Sequence, residues 1–116
     1  MNFLNPIFII GITTGPILLL AGLIMLYKPP KKINDFYGYR TKQSMKNQAH
    51  WDFAQEFSSQ KLIQSGFYYS LSALPFLFFE VGEVSAIIVS IILLVVFIGY
   101  PLYTTEKALK EKFNSK

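Results

Sequence analysis

The sequence predicts an all-α integral membrane protein, with three transmembrane helices and an amphipathic interfacial helix in the loop after the first span. Three observations carry that reading. Charged residues make up 16% of the 116-residue chain against 52% apolar, with a mean hydropathy of +0.35. Those charges are segregated, with none from Met1 to Tyr27, from Leu62 to Phe79, or from Val84 to Thr105. Finally, every Lys and Arg falls on one side of the three-span arrangement that these runs imply. A soluble domain mixes charged with apolar residues along the chain, and a disordered tail lacks long apolar runs. The absence of cysteine excludes structural disulfides and thiolate metal sites.

The first run, Phe3 to Tyr27, is about 37 Å long as a helix, more than the ~30 Å hydrocarbon core of a bilayer. It lacks a basic leader and a small-x-small cleavage site, and its apolar part is too long for a signal peptide, so it is read as a retained span. Gly11 and Gly15, four apart, allow a close helix approach and mark a packing face. The second run, Leu62 to Phe79, is short and carries Gln64, Ser65, Ser70 and Ser72, which are expected to face the other helices. The third, Val84 to Thr105, is almost wholly aliphatic from Ile88 to Phe97. Pro16 and Pro75 should kink or interrupt their spans, while Pro101 should shape the exit of the third. The tail from Thr104 to Phe113 is expected to extend the third helix, with Glu106 and Lys110 as an i,i+4 pair.

The connecting segments give an orientation. The loop 28–61 holds Lys28, Lys31, Lys32, Arg40, Lys42, Lys46 and Lys61, and the tail holds Lys107, Lys110, Lys112 and Lys116. The hairpin between the second and third runs carries only Glu80 and Glu83. Cytoplasmic loops are enriched in Lys and Arg, so the amino terminus is expected outside and the carboxyl terminus in the cytoplasm of a multi-pass cell-membrane protein. The net charge of +4 then reflects topology and anionic lipid headgroups, with no nucleic acid implied. The whole chain, residues 1–116, reads as one membrane domain.

The loop carries the chemistry. Prolines 29 and 30 end the first helix and the lysines around them anchor it. Asn34, Asp35 and Gly38 favour turns. From Ser44 onward the chain looks helical, with Thr41 or Ser44 as the cap. Asn47, Trp51 and Ala54 share one face, and Asp52 and Glu56 another. Trp51 and the tyrosines suit the headgroup layer. Arg40 has up to five N–H donors in a planar fork and needs an acceptor; Asp35, Asp52, Glu56 or a lipid phosphate are the candidates.

The pattern Asn34-x-x-x-Gly38-Tyr39-Arg40-Thr41-x-x-Ser44-x-x-Asn47-x-x-x-Trp51-x-x-Ala54 resembles the signature of the SdpI family of small membrane proteins, which is named for a toxin-immunity protein. The layout is similar too: one span, this loop, then two more spans. Longer immunity members carry additional spans ahead of this unit. The resemblance implies a non-enzymatic membrane protein of the immunity or signalling type, protecting against or sensing a membrane-active peptide toxin. The residues expected to bind a ligand or partner are Asn34, Gly38, Arg40, Thr41, Ser44, Asn47 and Trp51.

Enzyme readings find little support. His50 is the sole histidine and is expected to sit exposed at the interface; it does not share a face with Asp52 and Glu56, so no metal site is expected. No phosphate loop, nucleophile elbow or cofactor motif occurs. The partners implied are the lipid bilayer, a peptide toxin or a cytoplasmic regulatory protein, and a second copy of the chain. Two other readings stand beside immunity. One is a small transporter or lipid- or solute-binding module, holding its ligand between loop and bundle. The other is a structural subunit of a larger complex, docking through Gly11 and Gly15.

Overall fold

Asn5 starts the first helix. Its side-chain oxygen accepts from the Ile7 amide at 2.9 Å, and Pro6 follows at the first helical position, where a missing N–H costs nothing. The computed structural model describes residues 4–113. Among them it contains three α-helices and no strand: α1 (Pro6–Tyr27), α2 (Gln48–Ala73) and α3 (Glu83–Phe113). A single 3-10 turn, Leu74–Leu77, follows α2. The expected start of the first span at Phe3 lies outside the described residues.

Two of these helices, α1 and α3, are long and apolar enough to cross a membrane. The expected loop helix and the second apolar run are not separate. They form the single 26-residue α2, about 39 Å long, capped by the side chain of Asn47 rather than by Thr41 or Ser44. The fusion has a simple cause: no glycine, proline or turn cluster lies between Gln48 and Ser65 to stop the helix. Pro75 does mark a break, because α2 gives way at Leu74 to the 3-10 turn.

Glycines set the pairing of α1 with α2. Gly11 lies against Ala73, Gly15 against Ser70 and Gly66, and Gly22 against Ser59 and Ile63, so the two helices run antiparallel. A Cβ on Gly11 would stand 2.6 Å from that of Ala73, and one on Gly22 2.6 Å from the Ser59 carbonyl oxygen. Nothing larger than glycine fits this spacing. The Gly11–Gly15 face is therefore consumed inside the chain and is not a free surface for docking a larger complex.

The α2–α3 contact is also antiparallel. The Tyr69 ring stacks on Phe97 at 4.7 Å, and His50 stacks on Phe113 at 4.0 Å. Pro101 lies inside α3, whose helix continues for three further turns, so it does not shape an exit. It has no N–H to give the Phe97 carbonyl four residues earlier. The Ser65 hydroxyl of α2 supplies that missing donor. Ser65 thus faces the bundle as expected, whereas Gln64, one residue earlier and 100° round the helix, is exposed.

Burial is inverted relative to a water-soluble bundle. The buried set is rich in small and polar side chains: Ser44, Gln55, Ser58, Ser59, Ser65, Ser90 and Thr105 are all at most 3% exposed. On α3 the inward stripe is Ala86, Ser90, Pro101, Thr105 and Leu109, while Val84, Ile88, Ile91, Ile92 and Val95 each stand more than half exposed. Water would oppose an apolar surface of this extent. Lipid does not, and small residues at helix contacts are what close packing in a bilayer requires.

Candidate functional site: the loop cap at the basic end

Antiparallel packing brings the loop 28–47, the start of α2 and the end of α3 to one end of the bundle, which is also where the basic residues lie. There the loop folds into a cap. Asn34 forms an Asx turn: its Oδ1 accepts from the amides of Phe36 at 2.9 Å and Tyr37 at 2.7 Å, and its Nδ2 donates to the Lys32 carbonyl. The Tyr37 hydroxyl reaches back to the Lys28 carbonyl at 2.5 Å, which ties the loop to the end of α1.

Gly38 is the one described residue at positive φ, +107°. A side chain there would be strained, and its Cβ would stand 2.6 Å from both Gln55 Oε1 and Pro30 Cγ. This turn lets the next residue pair with α2. The Tyr39 amide donates to Gln55 Oε1 and Gln55 Nε2 donates to the Tyr39 carbonyl, both at 2.7 Å. Gln55 is 2% exposed, and this reciprocal pair satisfies its amide. One turn earlier on α2, Trp51 is fully buried and its indole N–H donates to the Pro30 carbonyl at 2.6 Å. Trp51 is thus an internal strut enclosed by protein, not a ring exposed to headgroups.

Thr41 and Ser44 cap each other. The Ser44 amide donates to Thr41 Oγ1 at 3.1 Å, and the Thr41 amide to Ser44 Oγ at 2.8 Å, the reciprocal arrangement of a capping box around a single helical turn. Asn47 then caps α2, accepting from the His50 amide at 2.9 Å and pairing with His50 Nδ1 at 2.7 Å. His50 is buried under Phe113 rather than exposed, because α3 runs far enough to cover it, and its Nε2 has no hydrogen-bond partner among the described residues.

The third helix holds the cap through Glu106. Its carboxylate accepts from the Tyr39 hydroxyl at 2.6 Å, Thr41 Oγ1 at 2.8 Å and Gln43 Nε2 at 3.2 Å, and its main-chain carbonyl accepts from Gln43 as well. Burial and the Glu106 carboxylate push the Tyr39 phenol above its ordinary pKa, so it stays a donor. The expected i,i+4 partnership with Lys110 gives way to these loop contacts. Glu106, Tyr39 and Gln55 belong to the site although the sequence reading did not select them. The available signal for Glu106 was its place as the first charge after a 22-residue uncharged run.

Arg40 remains at the surface. Among the described residues its one hydrogen bond runs from Nη1 to the main-chain carbonyl of Asp35. The Asp35, Asp52 and Glu56 carboxylates are not its acceptors. Asp52 instead accepts from Gln48, and with Glu56 it lines a cleft of about 500 Å³ beside Pro29 and Pro30. Of the predicted residues, Asn34, Gly38, Thr41, Ser44, Asn47 and Trp51 build and brace the cap, and Arg40 is presented by it.

A family model described as the SdpI/YfhL protein family matches residues 31–103, the span from the loop through most of α3. The chain belongs to this family. Among curated proteins, an uncharacterized protein, YfhL of Bacillus subtilis (strain 168), is 41% identical over 56 residues. The match covers 48% of this chain and 51% of the relative, so it spans about half the length of each. No solved structure matches. Family membership and the two long apolar helices together make this SdpI/YfhL member a membrane protein.

Proposed function

We propose that this family member is a non-enzymatic immunity or sensing protein that responds to a membrane-active peptide. In this reading all three helices cross the bilayer, with the amino terminus outside and the loop and carboxyl terminus in the cytoplasm. The bundle's 48 Å long axis exceeds the ~30 Å hydrocarbon core, which leaves depth for a cytoplasmic cap. Family membership supports the immunity class. The observation that carries the mechanism is the Glu106 clamp, because it joins the motif-bearing loop to α3, the helix with the most lipid-facing apolar surface. A peptide that inserts against α3 displaces it relative to α1 and α2. Glu106 passes that displacement to Tyr39, Thr41 and Gln43, and the loop presents Arg40 in a new position to a cytoplasmic partner.

The test is survival of sensitive cells challenged with a secreted membrane-active peptide. Wild-type protein protects. Arg40→Ala and Glu106→Ala, accumulating to wild-type levels, do not. Equal survival with and without the protein removes the immunity reading.

A further inference from the structure

A groove of about 300 Å³ lies beneath Arg40, lined by Met25, Gly38, Tyr39, Arg40, Thr41, Leu62 and Leu102. Its two kinds of wall come from different levels of the fold. The apolar wall is supplied by all three helices, and each residue lies within a turn of the end of its charge-free run. Met25 is two residues before Tyr27, Leu62 begins the second run, and Leu102 is three residues before Thr105. The polar wall is the loop motif itself. The groove therefore opens at the depth where hydrocarbon gives way to headgroups.

We infer that this groove binds an anionic glycerophospholipid, its phosphate held by Arg40 and its acyl chains lying down Leu62 and Leu102. Charge complementarity selects the occupant. The Arg40 guanidinium commits one donor to the Asp35 carbonyl and has four left, in a planar geometry suited to phosphate oxygens. The Tyr39 and Thr41 hydroxyls are already given to Glu106, which fixes the polar wall in place before a lipid arrives. The apolar side continues onto exposed surface, since Leu102 is 45% exposed, as a site entered from the bilayer requires. The inference depends on membrane insertion and is independent of any role in immunity.

The full chain, in dodecyl maltoside micelles, is titrated with phosphatidylglycerol, with phosphatidylcholine and with inorganic phosphate, and bound lipid is counted by native mass spectrometry. Phosphatidylglycerol is expected to remain bound, and phosphatidylcholine to bind about tenfold more weakly. Arg40→Gln, which touches only an exposed loop contact, is expected to weaken phosphatidylglycerol about tenfold, the loss of a charge-assisted contact. Lys42→Gln, an equal charge change outside the groove, changes it less than twofold, and Leu102→Trp, which fills the apolar wall, reproduces the Arg40→Gln loss. Equal losses from Arg40→Gln and Lys42→Gln would mean diffuse surface charge and overturn the inference. Competition by inorganic phosphate at equal concentration would mean a soluble-anion site and overturn it as well. Loss of toxin protection with lipid binding intact would strike the immunity reading alone.

Discussion

Replacing Glu106 with Ala removes the carboxylate that three side-chain donors share. Thr41 Oγ1 loses its acceptor in α3, while the Tyr39 hydroxyl falls back on the Leu102 carbonyl and Gln43 Nε2 on the main-chain carbonyl of residue 106. Hydrogen bonds to a charged group contribute about 1.5–3 kcal/mol each, but they share one acceptor and lie in a partly exposed layer, where water can replace some of what is lost. A net cost of about 1–3 kcal/mol for detaching the cap follows, since two of the donors retain a main-chain acceptor, equivalent to roughly a 5- to 150-fold larger detached population. Amide hydrogen exchange reads that population directly. The Tyr39 amide is held by Gln55 of α2 and the Thr41 and Ser44 amides by each other's side chains, so all three should exchange faster by this factor when the loop detaches, while amides in the α1–α2 seam do not change. Glu106→Gln should lie between wild type and Ala, since one amide oxygen can still accept from Tyr39 and Thr41 while its NH2 faces the Gln43 amide. Unchanged exchange at Tyr39 and Thr41 in Glu106→Ala would refute the idea that α3 holds the loop.

Other outcomes follow from the same contacts. Trp51→Phe keeps a buried aromatic ring, though a smaller one, and leaves the Pro30 carbonyl without its donor, so thermal unfolding in detergent should show a loss of about 1–3 kcal/mol from the hydrogen bond, with the void adding to it. Gly15→Leu should prevent α1 from docking, because a Cβ there already stands 2.8 Å from the Ser70 amide nitrogen; protease resistance of the purified protein reports it. Ser65→Ala should cost about 1 kcal/mol in the wild type and less in a Pro101→Ala background, where a restored N–H can serve the Phe97 carbonyl; a double-mutant cycle measures the coupling. The raised pKa of Tyr39 means that the unfolded chain loses that proton first as pH rises. Its contribution is therefore complete below the ordinary phenol pKa of about 10 and declines above it, and Tyr39→Phe should flatten the alkaline fall in unfolding temperature.

Much of the site was legible in local pattern. Asn34 and Gly38 read as turn residues and form the turn, the latter because only glycine tolerates φ of +107° beside Gln55. Thr41 and Ser44 read as caps and do cap, though they cap each other rather than α2. The misreadings share one cause, which is the neighbour across the bundle. Trp51 and His50 resemble interface residues until the loop and Phe113 cover them. Glu106 resembles half of a helix-surface pair until Tyr39, Thr41 and Gln43 reach it from more than sixty residues away in sequence.

The sequence by itself determined the class and the ends. Charge cannot enter hydrocarbon cheaply, so where the charges are absent the helices are apolar, and where lysines gather the loop and tail must meet. Only the tertiary structure decided which helices touch and which residue holds the cap. Those choices depend on distances between chain segments: the glycines of α1 fix how near α2 comes, and antiparallel packing then sets Glu106 opposite the loop. Local spacing encodes each helix face, but the partner of a face is a property of the packed bundle.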